Sequence, residues 1–259
     1  SLSSRGVELA NGNLLEAETL RAACDGVDAI VSTAAGYTRH TPGDTIETDH
    51  VGNRNLADAA ADAGVRRLVF TSILNCHLAP NVPHFWAKKL AEDYFEQHGV
   101  PFVSLRPGAF VDFFGLSGGN DGFAAGRITA MGDVDAPYTR VYTPDLAGNL
   151  AAAVDADTAP GERIDIGWDR ALTTRELVAL AGDILGRTLV LSAIDPAQMR
   201  APDMPEEAMR DFVAMFEFFR SGQYVADTRR QQEVFGSVPT AEDAMRRRLA
   251  ALGHAAAAG

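Results

Sequence analysis

The sequence predicts an α/β fold in which a mostly parallel sheet is covered by helices on both faces, with a smaller helical region after it. Three observations predict it: short, nearly continuous apolar runs; amphipathic stretches between them; and glycines just past the ends of those stretches. Strands without polar alternation are buried on both faces, and strand–helix alternation makes neighbouring strands parallel. Right-handed crossovers then leave few topologies.

Taken in order, residues 7–9 are a short apolar run before a Gly-Asn turn, and residues 16–24 have helical spacing. Residues 28–33 (DAIVST) read as a buried strand ended by the small Ala34, Ala35 and Gly36. A long helix is expected over 48–63, with Val51, Leu56, Ala59 and Ala60 as its apolar stripe and Gly64 past its end. Residues 67–72 (RLVFTS) and 101–105 (PFVSL) are the next strands, separated by a helix over 85–98 that Gly99 closes. Beyond Arg106 the pattern loosens into a Gly-rich segment over 115–126, then a helix near 144–154 and a strand at 163–166.

The last third has another texture. Residues 173–185 read as a helix with Thr173 or Thr174 as cap ahead of Glu176, and 187–191 as a short strand. Residues 205–220 carry Met209, Phe212, Val213, Phe216 and Phe219 at helical spacing, a stripe more typical of core than of a cofactor pocket. The expected organisation is a sheet domain over 1–170 and a small cap over 171–259, with the Ala-rich tail after Gly253 frayed. No internal repeat is present.

Hydrophobic content of 46% and charged content of 22% are ordinary for a globular chain of 259 residues. A formal charge of -12 argues against a nucleic-acid or anionic-membrane partner, since both reward a basic surface. The two cysteines, Cys24 and Cys76, suggest neither a disulfide scaffold nor a zinc site. Cys24 reads as a small core residue, and Cys76 lacks a local motif that would activate a thiolate. No apolar run approaches the roughly twenty residues of a membrane span. Residues 1–12 lack the basic-then-apolar order of a signal peptide, so a cytoplasmic location is expected.

Several adjacent segments carry a resemblance. The run 47–73 (ETDHVGNRNLADAAADAGVRRLVFTSI) and the run 84–110 (HFWAKKLAEDYFEQHGVPFVSLRPGAF) resemble the middle of atypical short-chain dehydrogenases/reductases, above all NmrA-like members. In that group a Lys, a Glu four residues on and an LRPG strand end recur together; here they are Lys88, Glu92 and residues 105–108. The opening 6–20 (GVELANGNLLEAETL) resembles the stretch after the family's second strand, and 219–227 (FRSGQYVAD) its C-terminal cap. The resemblance implies a Rossmann-like doubly wound parallel sheet with a small C-terminal helical cap, binding NADP or NAD. It also implies a lack: no G-x-G-x-x-G or G-x-x-G-x-x-G opens a helix here to receive the pyrophosphate. The expectation is therefore a sheet lacking its first βαβ unit, with a gap between a strand at 7–9 and the strand at 28–33. Two unpaired edges would make the chain fold poorly or bind cofactor weakly, unless a shortened sheet closes over the gap.

The same resemblance implies site residues. Short-chain dehydrogenases share a Tyr-x-x-x-Lys pair on one helix face, the Lys holding the nicotinamide ribose and the Tyr moving the substrate proton. Lys88 matches the Lys, but His84 stands at the Tyr position. Two readings stay open: His84 as the proton donor, with a reference pKa near 6.5 suited to neutral pH, or His84 as a pocket wall in a protein that binds cofactor without turnover. The family's catalytic hydroxyl position falls on Ile73, with Ser72 one step early as the candidate contact. Ala34, Ala35 and Gly36 at one strand end and Pro107, Gly108 and Ala109 at another are expected beside the cofactor, and Asn13 and Leu14 near its adenine. Phe85, Trp86, Phe110 and Phe114 are candidate pocket walls, and His40, His50 and His77 are too scattered for a metal.

The expected function is an NAD(P)H-dependent oxidoreductase acting on a small carbonyl or quinone compound, by reduction or isomerisation. The alternative is a non-catalytic dinucleotide redox sensor with a protein partner. A sugar-nucleotide epimerase is disfavoured because His84 replaces the Tyr such enzymes need. The residues that distinguish NAD from NADP in the family lie at the end of its second strand, which has no counterpart here.

Overall fold

A computed structural model of the protein describes residues 3–36, 45–117, 120–199 and 204–254. Helix α1 (Ala17–Cys24) leads into β1 (Ala29–Ser32), and α2 (Asn53–Asp62) leads into β2 (Arg67–Thr71). Next come α3 (Pro83–Gln97), β3 (Phe102–Pro107), β4 (Arg127–Met131), α4 (Thr143–Ala152) and β5 (Glu162–Ile166). The chain finishes through α5 (Thr174–Leu185), β6 (Val190–Ile194), α6 (Glu206–Arg220), α7 (Arg229–Phe235) and α8 (Ala241–Ala251). The central sheet has the order β1-β2-β3-β5, and each of its pairings is parallel.

Alternation along β2 divides the sheet's two faces. Leu68 and Phe70 pack with Leu20, Leu56, Ala91, Phe95 and Phe102 under α1, α2 and α3. Val69 joins Val103, Leu105, Leu146, Leu150 and Ile164 on the opposite face, beneath α4. All six residues of β3 are buried, as a doubly covered central strand requires. The fold is the Rossmann-like α/β arrangement that the strand–helix alternation predicts. Among the described residues no helix is long and apolar enough to cross a membrane.

Four expectations need correction. Residues 7–9 form no strand; Val7 is 45% and Leu9 64% exposed, since no described strand lies beside them to complete their hydrogen bonds. The anticipated gap inside the sheet is therefore not formed: the four strands are contiguous, with β1 an edge among the described residues. The helix expected over 48–63 is α-helical only from Asn53, and Thr45–Gly52 is wound more widely as a π-helix. Asn53 gives a physical reason, because its buried side-chain amide donates to the carbonyls of Thr48 (3.3 Å) and Asp49 (3.0 Å) and competes with the i→i−4 ladder. The strand expected at 187–191 begins later, at Val190, because Gly186 and Arg187 are used to close α5; their amides donate to Asp183 and Gly182.

The smaller lobe has its own core. Trp168, Val111, Phe123, Ile128 and Tyr142 pack with Leu177, Val178, Met245 and Leu249. Strand β4 pairs in parallel with β6, residue 127 opposite 190, so a segment ahead of residue 170 is built into this lobe. The stripe on α6 ends in core, with Phe218 and Phe219 buried against Phe85 and Tyr224, while Phe212, Val213 and Phe216 are half-buried. The tail expected to fray lies, from residue 255 on, outside the described residues.

One buried ionic cluster binds α3 to the sheet. The Glu92 carboxylate accepts from Ser104 (2.6 Å), Arg106 Nε (3.1 Å) and Nη2 (2.5 Å), and Arg163 Nε (3.2 Å). Burial alone would raise the Glu92 carboxyl; the Arg106 guanidinium, with Ser104, outweighs it and holds the group below its ordinary 4.5. Its contribution to stability is thus present above that unfolded value and is lost as pH falls through the lower folded one. Glu92→Gln is expected to cost about 3 kcal/mol near pH 7, because the buried Arg106 loses its counter-charge. In denaturant unfolding, the gap between variant and wild type should narrow below pH ~4. At α5, Thr173 and Glu176 form a reciprocal capping box, and Thr173→Ala should lower stability by about 1 kcal/mol in the same measurement.

Candidate functional site

Helix α3 begins with Pro83 at its first position, where a missing N–H costs nothing, and Val82 before it is extended. Four-residue spacing then places His84, Lys88 and Glu92 on one face. These side chains are respectively 5%, 4% and 1% exposed. Buried charges need partners, and each is met by a different part of the chain.

Lys88 reaches the carboxyl end of β1. Its Nζ donates to the Ala34 carbonyl at 2.7 Å, pairs with Asp49 Oδ1 at 3.1 Å and lies 5.0 Å from the centre of the Phe70 ring. Asp49 Oδ1 also accepts from the Gly36 amide at 3.3 Å. Asp49 is itself 1% exposed, and its Oδ2 has no hydrogen-bond partner among the described residues. Lys88, Ala34 and Gly36 are thus gathered by a carboxylate that sequence reasoning did not single out. Ala35 lies between them and is exposed.

One turn earlier, His84 faces the cap. Its Nδ1 lies 2.6 Å from Asp211 Oδ1 on α6, and its backbone amide donates to Asp211 Oδ2 at 3.1 Å. The ring stands edge-on to Phe85 at 4.7 Å. Asp211, 3% exposed, is the second residue the sequence did not reveal. A lone polar position inside an aromatic stripe was the available signal.

Ser72 is buried, with its hydroxyl turned toward Cys76, 3.8 Å from the sulfur, and toward Glu92. Burial, reinforced by the Glu92 charge, pushes the Cys76 thiol up to about 12, so it is protonated and inert at neutral pH. At the end of β3, Pro107 accepts through its carbonyl from the Leu74 amide at 3.0 Å. Gly108 donates to Ile166 and Ala109 to Thr139. A Cβ on Gly108 would stand 2.5 Å from the Thr139 carbonyl oxygen, so this glycine permits a close backbone approach within the protein.

Asn13 shapes the entry to α1, accepting from Leu15 at 3.0 Å and donating to Glu16 at 2.9 Å. The Leu14 carbonyl accepts from Asn55 at 2.9 Å. Of the aromatic candidates, Phe85 is core, against Phe218 at 5.8 Å and Tyr224 at 5.5 Å. Phe114 packs on Phe123, Trp86 lies under Lys89, and Phe110 is 41% exposed. Among the described residues no three His, Cys, Asp or Glu side chains gather as a metal site; His40 lies outside those residues.

The photosystem II assembly factor Ycf39 of Synechocystis sp. is 26% identical over 226 residues, which cover 84% of this chain and 64% of that protein. This chain therefore spans less than two thirds of that relative's length. The (4-alkanoyl-5-oxo-2,5-dihydrofuran-3-yl)methyl phosphate reductase of Streptomyces griseus is 28% identical, over 89% of this chain and 79% of its own. The NADPH-dependent quinone oxidoreductase QOR2 of Escherichia coli, solved with NADPH, superimposes with a TM-score of 0.75. That match covers 95% of this chain and 85% of the other at 18% identity, a likeness of fold. The NmrA-like family model matches residues 1–242, and the chain belongs to the NmrA-like family.

Proposed function

We propose that the protein is an NAD(P)H-dependent reductase of a small carbonyl or quinone compound, working from the cytoplasm, with Lys88 and His84 as its central groups. The observation that carries the reading is buried Lys88 on α3, set against the carboxyl end of β1, where open α/β sheets bind ligands, with His84 one turn earlier on the same face. Family membership and the reductases among its relatives support it.

The residues fit the nicotinamide end of a dinucleotide. Lys88 is a buried donor, Asp49 Oδ2 a buried acceptor without a described partner, and Ala34 and Gly36 are small enough for a ribose to approach. The chain offers no glycine-rich turn for the pyrophosphate, so the fit concerns that end alone. A bound reduced nicotinamide supplies the hydride. Lys88 and Asp49 would hold ribose hydroxyls, as donor and acceptor. His84 gives a proton to the substrate oxygen as the C=O π bond opens, leaving an alcohol or hydroquinone and a neutral imidazole. Pro107, Gly108 and Ala109 would face the nicotinamide, Ser72 the nicotinamide or the substrate, and Asn13 and Leu14 the adenine.

Incubation with NADPH or NADH and a panel of quinones and small carbonyl compounds, followed by loss of nicotinamide absorbance, tests the reading. Wild type should turn over at least one acceptor, and Lys88→Ala should lower kcat/KM by roughly 100-fold or more. Removing Lys88 also strands the buried Asp49 charge at a cost of about 3 kcal/mol. The double variant Lys88→Met/Asp49→Asn, which leaves no such charge, should therefore be folded and equally inactive. Dinucleotide binding without turnover of any acceptor would count against the enzyme and for a sensor.

A further inference from the structure

We propose that Asp211 is a positioning residue for the reaction. From the cap helix α6 it fixes the tautomer and orientation of His84, so that cap docking and proton donation become one event. This rests on the reading of His84 as the proton donor.

Two hydrogen bonds carry the inference. Asp211 Oδ2 accepts from the His84 backbone amide at 3.1 Å, while Oδ1 lies 2.6 Å from His84 Nδ1. The first bond supplies something α3 lacks. Val82, at its N-cap, gives no side-chain cap, and Pro83 has no N–H to offer, so one of the free amides at the helix start is satisfied from another element. The carboxylate thus sits at a helix N-terminus, where the backbone dipole favours negative charge.

An ionised carboxylate can only accept, so the second bond places a proton on Nδ1. The proton that would be passed to substrate is then the one on Nε2. Neither bond is an exposed contact, since His84 is 5% and Asp211 3% exposed. Around them, Phe85 packs edge-on to His84 and also against Phe218 of α6 and Tyr224, so ring rotation is restricted on the cap side. Lys88 sits one turn further along the same face and is neutralised separately by Asp49. Among the described residues Asp211 thus faces the His84 imidazole, and Lys88 faces Asp49.

The arrangement has a consequence for the cap. If α6 lifts away, His84 loses its orienting carboxylate and α3 loses its cap at once. Chemistry then proceeds only with the cap seated, through a contact that touches no substrate atom.

The test uses the full chain with Asp211→Asn, which keeps size and one acceptor but adds an amide donor. Long-range proton–nitrogen spectra of the histidine side chains, with His84 assigned by its disappearance in His84→Gln, report the tautomer directly. Wild type should show the Nδ1–H form of neutral His84, and Asp211→Asn should shift it largely to Nε2–H. In NADPH turnover, kcat should fall by roughly 100-fold while KM changes by less than about threefold. Asp211→Glu should recover part of the rate.

Wild-type His84 in the Nε2–H form would overturn the proposal, even if the variants failed to fold. An unchanged tautomer in a folded Asp211→Asn would overturn it too, whatever happened to the rate. Should His84→Gln keep full turnover, the reductase reading of His84 fails first. Loss of turnover in His84→Gln beside normal kcat in Asp211→Asn sinks the positioning role alone.

Discussion

Three ionisable side chains stand four residues apart on one face of α3, each more than nine-tenths buried, and each must find an opposite charge outside its own helix. Glu92 takes Arg106 and Arg163 from the central strands, Lys88 takes Asp49 from the widened helical turn ahead of α2, and His84 takes Asp211 from the cap. Desolvation makes these pairs costly when broken and of modest net benefit when formed. They act more as registry than as glue. A one-residue slip of α3 would leave three buried ionisable groups without their partners, so the helix has a single acceptable seat between sheet, π-turn and cap.

That registry explains how much could be read from the sequence. The central strands and their helices were legible because two-face burial writes itself as unbroken apolar runs, as in RLVFT and FVSL, and because Gly64 and Gly99 sit with positive φ just past α2 and α3. Thr173 announced its own helix through Glu176 three residues on. The π-wound turn was illegible, because it depends on one asparagine amide choosing backbone carbonyls over solvent. Residues 7–9 misled for a related reason: their composition suits a strand, but a strand exists only beside another.

Of the candidate site, the pieces on α3 were visible and their partners were not. Lys88 and His84 follow from the family resemblance, whose Tyr-x-x-x-Lys pair falls on their positions. Asp49 stands seven residues before Leu56, in line with the apolar stripe of the expected helix, but nothing near it in the sequence names Lys88 as its partner. Asp211 lies 127 residues from His84, and nothing local to either residue encodes such a separation. Gly108 was legible as a close approach but not as to what approaches, which is the Thr139 backbone.

The aromatic and ionic seams between cap and sheet bear on how the molecule comes apart. Phe85 of α3 shares a cluster with Phe218 and Phe219 of α6, and the Trp168 core draws on residues from Val111 to Leu249. The cluster of Leu20, Leu68 and Phe102 closes within the sheet lobe, while the Phe85 and Trp168 clusters join segments from both sides of residue 170. Heat or denaturant acting on one should therefore propagate to both, giving one cooperative melting unit rather than two. A ligand seated at the tip of β1 would, through that cooperativity, steady residues as distant as those of α8.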